Sequence, residues 1–519
     1  MKISIQKRWS DLVTDIKHNP DAFKSALLST IVMGLGQWRN KQRAKALVFF
    51  SVLLLVVLVE LFSGSYLYAF SELSQYPAGL DGQLYFIRDY GGIFTKGLWG
   101  LITLGQITAF QSYRGQFTEA FNKVIPWLSG DNSISLLGNG LIALVLSSLV
   151  IAVYVQNIRD AYVSKKLSLK QGYIETGKGY VKRLWTDMFP FIILLPTFVM
   201  VLFFILIPFL FSFLLAFTNY TYRVVPPAQL VRWVGFTNFT KIIAESGWLN
   251  IFLDVIGWTF LYAIMASVSC YVLGMIQAMI IESKYVKLKK LWRTLLIVPW
   301  AIPAMISLMV FRNVFALDGL ANQALLSTGL MEPVSNFLYS VGLQGEIGTV
   351  IYWFSKYMNR NLTKLVILMV NLWLGAPYFM MLITGVLTTL PKDLYEAAAI
   401  DGASRWQSFK RITLPLVIKA TLPAIIMTFT FNFNNFGAIY FLTGGGPARP
   451  NDMVPQSMLI LKGVPGSTDI LISWIYKLSF TRNEQVFNMA AVYSILIFIF
   501  IGVISVYNLA KNKGIWEEE

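Results

Sequence analysis

The strongest constraint on this chain is a series of apolar runs long enough to cross a bilayer. A helix needs about 20 mostly apolar residues to span the hydrocarbon core. Such runs fall at 46–69, 134–156, 189–218, 249–281, 293–315, 363–389, 416–442 and 488–510. Glu60 interrupts the first, and the third and fourth are long enough to tilt. Two further apolar stretches, Ala26 to Leu35 and Gly91 to Ile107, are too short or too glycine-rich to span and read as interfacial or re-entrant. Only 13% of the residues are charged, about half the share of a soluble domain. The fold class expected is an all-α integral membrane protein with about eight transmembrane helices.

Basic residues orient these spans. With the N-terminus inside, segments 1–45, 158–188, 282–293, 390–419 and the tail after 510 hold 28 Lys and Arg. The outside segments 66–133, 219–248, 316–361 and 443–487 hold 13, although they are longer in total. Short cytoplasmic loops retain positive charge, so both termini are expected inside, N-in and C-in. The net charge of +16 follows from the same bias and gives no reason to invoke nucleic acid. Residues 1–185 read as an N-terminal extension with two spans, an external segment and a basic linker. Residues 186–519 carry six denser spans.

Several chemistries are excluded by counting. Cys270 is the single cysteine and His18 the single histidine, so neither a Cys/His metal cluster nor a histidine-based triad within the spans can be assembled. No metal site is expected. Glu60, Asp254, Arg312 and Lys364 lie near span ends, which leaves an ionic relay little to stand on. An ion-coupled secondary transporter would be expected to carry intramembrane carboxylates and an inverted repeat, and the sequence displays neither. A GxxxxGK[ST] phosphate loop is absent as well, so any ATP dependence requires a separate ATPase.

The polar stretch 391–415, PKDLYEAAAIDGASRWQSFKRITLP, separates the sixth and seventh runs. Pro391 and Asp393 suit the first turn of a helix, and Gly402 suits its left-handed stop. Ser404 and Gln407 have the spacing of a capping box that opens a second helix. Trp406, Phe409 and Ile412 would give that helix one apolar face, and Pro415 marks the start of a new element. This pattern resembles the EAA loop of ABC-importer membrane subunits, with Glu396, Ala397, Ala398, Gly402, Ile412, Leu414 and Pro415 at the defining positions. The resemblance implies that the first helix docks in a cleft of a nucleotide-binding subunit and transmits its closure.

The following run contains TFTFNFNNFGAIYFLTGGGP, residues 428–447. Asparagines inside an apolar span are costly unless hydrogen-bonded to each other, to another helix or to a ligand. Alternation with phenylalanines offers what a neutral sugar needs, amides for hydroxyls and flat rings for C–H faces. Helix–helix adhesion by the same asparagines stays open on this reading. FNFNNF and LTGGGP, with NLWLGAPYFMM (371–381) and RTLLIVPWAIPAMISLMVFRNVF (293–315), resemble the larger membrane subunit of maltose/maltodextrin ABC importers across most of 186–519.

That resemblance implies a type I ABC importer permease core with a sugar site on the two spans flanking the EAA loop. The matching residues are Leu374, Gly375, Tyr378, Thr428, Phe431, Asn432 and Asn435; Thr428 stands where the best-known relative has serine. It also implies a second permease subunit, two ATPase subunits that bind ATP and Mg, an external solute-binding protein, and a bacterial plasma membrane. No cofactor is expected in the chain itself. A permease for another neutral oligosaccharide is the alternative. The segment 219–248 is short where the enterobacterial relative carries a large external domain, and the segment 70–133 is differently built. Contacts with the binding protein are therefore expected at 219–248, 316–361 and 443–487.

Overall fold

A computed structural model describes residues 15–64, 91–105, 117–118, 123–124, 132–172, 178–224, 226, 230–244, 246–283, 285–460, 463–481 and 485–516. Apart from one antiparallel pairing of Phe117–Thr118 with Lys123–Val124, its regular elements are helices. Among the described residues, six helices are long and apolar enough to cross a membrane, or seven if one sharply bent pair forms a single span. Contacts divide the chain into two compact units, Met1–Gly235 and Phe236–Glu519.

The first unit contains α1 (Pro20–Ile31), α2 (Leu35–Arg39), α3 (Arg43–Ser63), α4 (Ile93–Ile102) and α5 (Ser133–Gln171). It ends with α6 (Lys178–Val201), a π turn at Leu202–Leu206 and α7 (Ile207–Leu215). The stretch 26–35 covers the turn from α1 to α2, and 91–107 contains the ten-residue α4. The first predicted run stops as a helix at Ser63, where Gly64 is extended; 65–69 lie outside the described residues. Glu60 has a structural task. Its carboxylate accepts from the backbone N–H of Gly92 at 3.0 Å and of Phe94 at 2.9 Å, and from the Thr95 hydroxyl. Those N–H groups are the orphan donors at the start of α4, and a carboxylate there also meets the positive end of the dipole.

A second polar cluster fixes α1 and α2 on α5. Asn157 donates through Nδ2 to the Ser29 carbonyl and accepts at Oδ1 from the Gly34 N–H, both at 3.0 Å. Gln37 Nε2 donates to the Asn157 carbonyl at 2.8 Å, and Asn40 Nδ2 to the Ala161 carbonyl at 2.9 Å. Ser25, Ser29, Gln37 and Asn157 are fully buried, so every one of these groups would be costly unpaired.

The second unit begins with α8 (Thr237–Ala244), α9 (Ser246–Glu282), α10 (Lys289–Ala301) and α11 (Ala304–Val314). Next come α12 (Leu320–Ser327), α13 (Met331–Ser340), α14 (Arg360–Thr389), α15 (Asp393–Ile400) and α16 (Arg405–Ser408). A π turn at Phe409–Thr413 leads into α17 (Leu414–Phe433), followed by α18 (Phe436–Leu442), α19 (Gln456–Ile460), α20 (Leu471–Phe480) and α21 (Phe487–Trp516). The main packing is α9 against α14. Ala266, Cys270, Gly274 and Ala278 recur every fourth residue on α9 and are buried. A Cβ on Gly274 would stand 2.6 Å from the Phe379 Cβ and 2.8 Å from the Ala376 carbonyl, so only glycine permits this approach. Small residues at four-residue spacing are how helices come close where lipid removes the hydrophobic drive.

Three predicted elements are corrected. The run 293–315 is not one straight helix but α10 and α11, bent by 87°. Pro303 bars the α conformation at Ile302, which is extended (φ −83°, ψ 134°). The run 416–442 is not continuous either; it breaks after Phe433. Asn434 donates to the Thr430 carbonyl at 3.3 Å, and Asn435 Oδ1 accepts from the Ala438 N–H at 3.1 Å as the cap of α18. Conversely, Pro415 starts nothing new, because one helix runs from Arg405 to Phe433. A proline ring clashes with the carbonyl four residues back, and here that residue, Arg411, lies in the π turn. The same device precedes Pro208, whose fourth preceding residue is Phe204.

The charges near span ends are used locally. Asp254 pairs with Arg449, and the Lys364 ammonium lies 4.3 Å from the Trp258 ring centroid. In the segment after the broken run, Asp469 is fully buried. It accepts from the Gly466 N–H at 2.7 Å and the Ser473 hydroxyl at 2.8 Å, and pairs with Lys477 at 2.6 Å.

Replacing Asn157 by alanine removes both side-chain bonds and leaves the Gly34 N–H and Ser29 carbonyl buried and unpaired. The expected loss is about 2 kcal/mol. Hydrogen exchange in 25–40 should rise by roughly 30-fold, since each 1.4 kcal/mol is about tenfold, while exchange in α9 and α14 stays unchanged.

Candidate substrate cavity and coupling loop

The breaks in two helices open a cavity of about 540 Å³ inside the second unit. On α14, Asn371, Leu374, Gly375 and Tyr378 recur at helical spacing and line one wall. Thr428, Phe431 and Asn432 of α17 line the opposite wall, with Asn435 at the break. Thus all seven residues named from sequence as substrate-binding face one space. The bend between α10 and α11 supplies a further wall, including Trp300 and Ile302.

Two kinds of surface meet there. Phe431 is 67% exposed, and the Trp300 and Tyr378 rings lie with centroids 6.4 Å apart, tilted by 33°. All three aromatic side chains line the cavity. The polar side is a chain of neutral groups. Asn371 Oδ1 accepts from the Tyr262 hydroxyl and from Asn435 Nδ2, each at 3.3 Å. Asn435 Nδ2 also faces the Tyr262 oxygen and Asn432 Oδ1, each at 3.5 Å. Asn432, nearly fully buried, donates to Ser267 Oγ at 3.0 Å. The contacts of Asn435 Nδ2 are longer than ordinary N–H···O bonds, whereas its oxygen is engaged as a helix cap. The asparagines thus do join helices, and they do so at the edge of the cavity.

Asn371, Trp300 and Tyr262 were not singled out by sequence reasoning. Asn371 had a readable signal, an amide within an apolar run one turn before Leu374 and Gly375. Trp300 did not, because its position depends on the 87° bend. Gly375 has a legible physical reason only in three dimensions: a Cβ there would lie 2.7 Å from Cys270 Sγ.

The loop 391–415 forms the helix–corner–helix expected. Gly402 is left-handed (φ +74°), and the Ala403 N–H reaches back to the Ala398 carbonyl at 2.9 Å. Ser404 and Gln407 form a reciprocal capping box, with bonds of 3.2 and 2.7 Å. The two arms are clasped by Tyr395 Oη and Thr413 Oγ1 at 2.9 Å. No residue of α15 is buried: Glu396 and Ala397 are exposed, Ala398 is half-buried, and Ile400 is 87% exposed. On the second arm Phe409, Ile412 and Leu414 are half-buried, Pro415 is exposed, and Trp406 remains 68% exposed. The predicted apolar face therefore runs from half-buried Phe409 and Ile412 to an exposed Trp406, whose ring centroid lies 5.3 Å from that of Phe409.

A chain whose described residues are largely helical, with membrane-length helices, a neutral cavity beside two helix breaks and an exposed helical loop, fits a membrane transport permease. Residues 270–512 match the family model described as the binding-protein-dependent transport system inner membrane component, and the chain belongs to that family. It is 34% identical to the galactooligosaccharides transport system permease protein GanP of Bacillus subtilis, over 95% of this chain and 98% of that one. It is 33% identical to the maltodextrin transport system permease protein MalC of Streptococcus pneumoniae, over 94% and 95%. Against the maltose/maltodextrin permease MalF of Salmonella typhimurium, 36% identity extends over 54% of this chain and 49% of that one.

Gly375→Ala should destabilise the α9–α14 contact by about 1–3 kcal/mol, the usual cost of overpacking. Combining it with Cys270→Gly should recover most of the loss. A double-mutant cycle on thermal unfolding in detergent checks this, and additive losses would disprove the contact.

Proposed function

We propose that this chain is the sugar-translocating permease of an ATP-driven importer for maltodextrins. The observation that carries the reading is the convergence of Leu374, Gly375, Tyr378, Thr428, Phe431, Asn432 and Asn435 on one uncharged cavity. A neutral oligosaccharide presents hydroxyls and C–H faces, and this wall offers amides beside exposed rings. The long contacts of Asn435 Nδ2 cost little to exchange for sugar hydroxyls. A charged substrate would find no countercharge among the cavity's lining residues. Similarity to MalC supports maltodextrin, while similarity to GanP favours a second reading, a galactooligosaccharide.

In this proposal the exposed arm α15 docks in a separate ATPase through Glu396, Ala397 and Ala398, with Gly402 setting the angle of the corner. Two ATPase copies, a second permease subunit and an external solute-binding protein complete the assembly, ATP and Mg being bound by the ATPases. Both termini face the cytoplasm of a bacterial cell, following the distribution of Lys and Arg. Closure of the ATPases moves the loop, and the cavity changes the side to which it opens. The ATP state and the loaded binding protein must favour the same conformer, because only differential affinity shifts a population.

Three experiments separate the parts of this proposal. In vesicles containing the assembled complex, Glu396→Lys or Gly402→Pro should abolish ATP-dependent uptake while leaving sugar binding in the cavity; uptake that persists would sink the coupling assignment. Phe431→Ala should reduce maltodextrin uptake at least about tenfold, the factor that roughly 1.4 kcal/mol of lost binding produces. Asn435→Ala should lose uptake as well, with assembly intact. Thermal stabilisation of the wild-type complex across maltose, maltotriose, longer dextrins and galactooligosaccharides decides between the two sugar classes.

A further inference from the structure

A second cavity, of about 310 Å³, lies far along the chain from the first, between α2 and the opening turns of α3. Its lining is almost wholly apolar: Val32, Leu35, Trp38, Leu47 and Phe50 provide most of it. The groove is built into the backbone. Gly34 is left-handed (φ +90°), and a Cβ there would stand 2.4 Å from the Ala46 carbonyl, so the turn before α2 rests directly on α3. Behind it, the buried bonds of Asn157 and Gln37 hold that turn on α5. The groove is thus rigid and open, and it adjoins a 21-residue helix apolar enough to cross a membrane.

What occupies it follows from its surroundings. The groove sits where α3 begins, which is the bilayer boundary once α3 crosses the membrane, and Trp38 is an aromatic of the type that favours that depth. On α1, Phe23, Leu27 and Ile31 recur every fourth residue and are 41%, 52% and 71% exposed, an outward apolar stripe that suits a helix lying in the interface. Positive charge borders the opening. The Arg43 guanidinium lies 5.6 Å from the Trp38 ring centroid, and Lys41 precedes it by two residues. Neither has an ion-pair partner among the described residues, whereas nearby Arg39 and Lys45 are paired with Asp21 and Asp160.

We propose that this groove binds one anionic phospholipid, its acyl chain along Val32, Leu35, Leu47 and Phe50 and its phosphate at Lys41 and Arg43. The site is separate from the sugar cavity and rests only on α3 crossing the membrane. It would tie the position of α1–α3 to the lipid around the transporter. Continuity with the exposed apolar surface of α3 and two cations that have no ion-pair partner among the described residues together select a lipid over a protein segment. An uncharged lipid would satisfy the groove and leave the cations idle.

The test uses the intact complex in bilayer discs of phosphatidylglycerol and phosphatidylcholine in equal amounts, with retained lipid counted by native mass spectrometry. Wild type should retain one phosphatidylglycerol in preference to phosphatidylcholine by at least about fivefold, the contribution of one basic residue beside an anionic headgroup. Lys41→Gln with Arg43→Gln should bring the two lipids to parity. Leu47→Trp, which fills the groove and keeps both charges, should lose the retained lipid. Equal retention of the two lipids by wild type would overturn the proposal without recourse to any variant, as would an unchanged preference in the double variant. ATP-dependent uptake is not the readout, so failure here leaves the transport reading untouched.

Discussion

The close approach of α9 and α14 is the contact on which the second unit depends. In lipid, apolar surface gains little by leaving its surroundings, so helices must be held by dispersion over many atoms and by hydrogen bonds. Ala266, Cys270, Gly274 and Ala278 remove the side-chain bulk that would keep the axes apart. The backbone approach then brings Tyr262 and Ser267 of α9 within reach of Asn371, Asn432 and Asn435. Without the seam, Asn432 would lose its bond to Ser267, and Asn371 and Asn435 their contacts with Tyr262.

Breaking a helix in a membrane exposes backbone groups, and the two breaks here are managed differently. Between α10 and α11, prolines shape the break: Pro303 has no N–H to satisfy, and the bend turns the chain to form a wall. After α17, asparagines manage it. Asn434 serves the carbonyl end and Asn435 the amide end, so the break is satisfied by its own side chains. Irregular backbone at membrane depth is tolerated where it lines a cavity, and both breaks do so. The cavity is the volume these interruptions leave beside the α9–α14 seam.

Much of this was legible in the sequence, for identifiable reasons. Apolar runs found the helices, because length and hydropathy are local properties. The corner at Gly402 and the capping box at Ser404 were legible because each is decided within four residues. Bends were not: Pro303 and Pro415 are both prolines within apolar surroundings, yet one turns the chain by 87° and the other is absorbed by a π turn. The difference lies in packing around each site. Glu60 looked like a defect in a span, and only the position of α4 reveals it as a cap. The seven cavity residues were found through resemblance, and the asparagines through the cost of amides in an apolar run. The division at 185/186 is a reading of composition, whereas contacts group residues 1–235 and 236–519.

The continuity of the helix from Arg405 to Phe433 bears on how the loop and the cavity communicate. Its 29 residues extend about 43 Å at 1.5 Å each. The second arm of the loop 391–415 and the wall that carries Thr428, Phe431 and Asn432 therefore belong to one continuous helix. A displacement at Trp406 or Gln407 reaches the cavity without crossing a loop. The π turn at Phe409–Thr413 and Pro423 are the places where this rod can bend, and the turn's flank is held by the Tyr395–Thr413 clasp. In the proposed importer, an ATPase that moves α15 would swing α17 as a lever about the α9–α14 seam. The cavity wall would then move relative to α14, and the long contacts of Asn435 with Tyr262 and Asn371 are the bonds that such a swing would break first. In the proposed importer, their weakness would let one amide network be re-formed around a sugar and broken again within a single transport cycle.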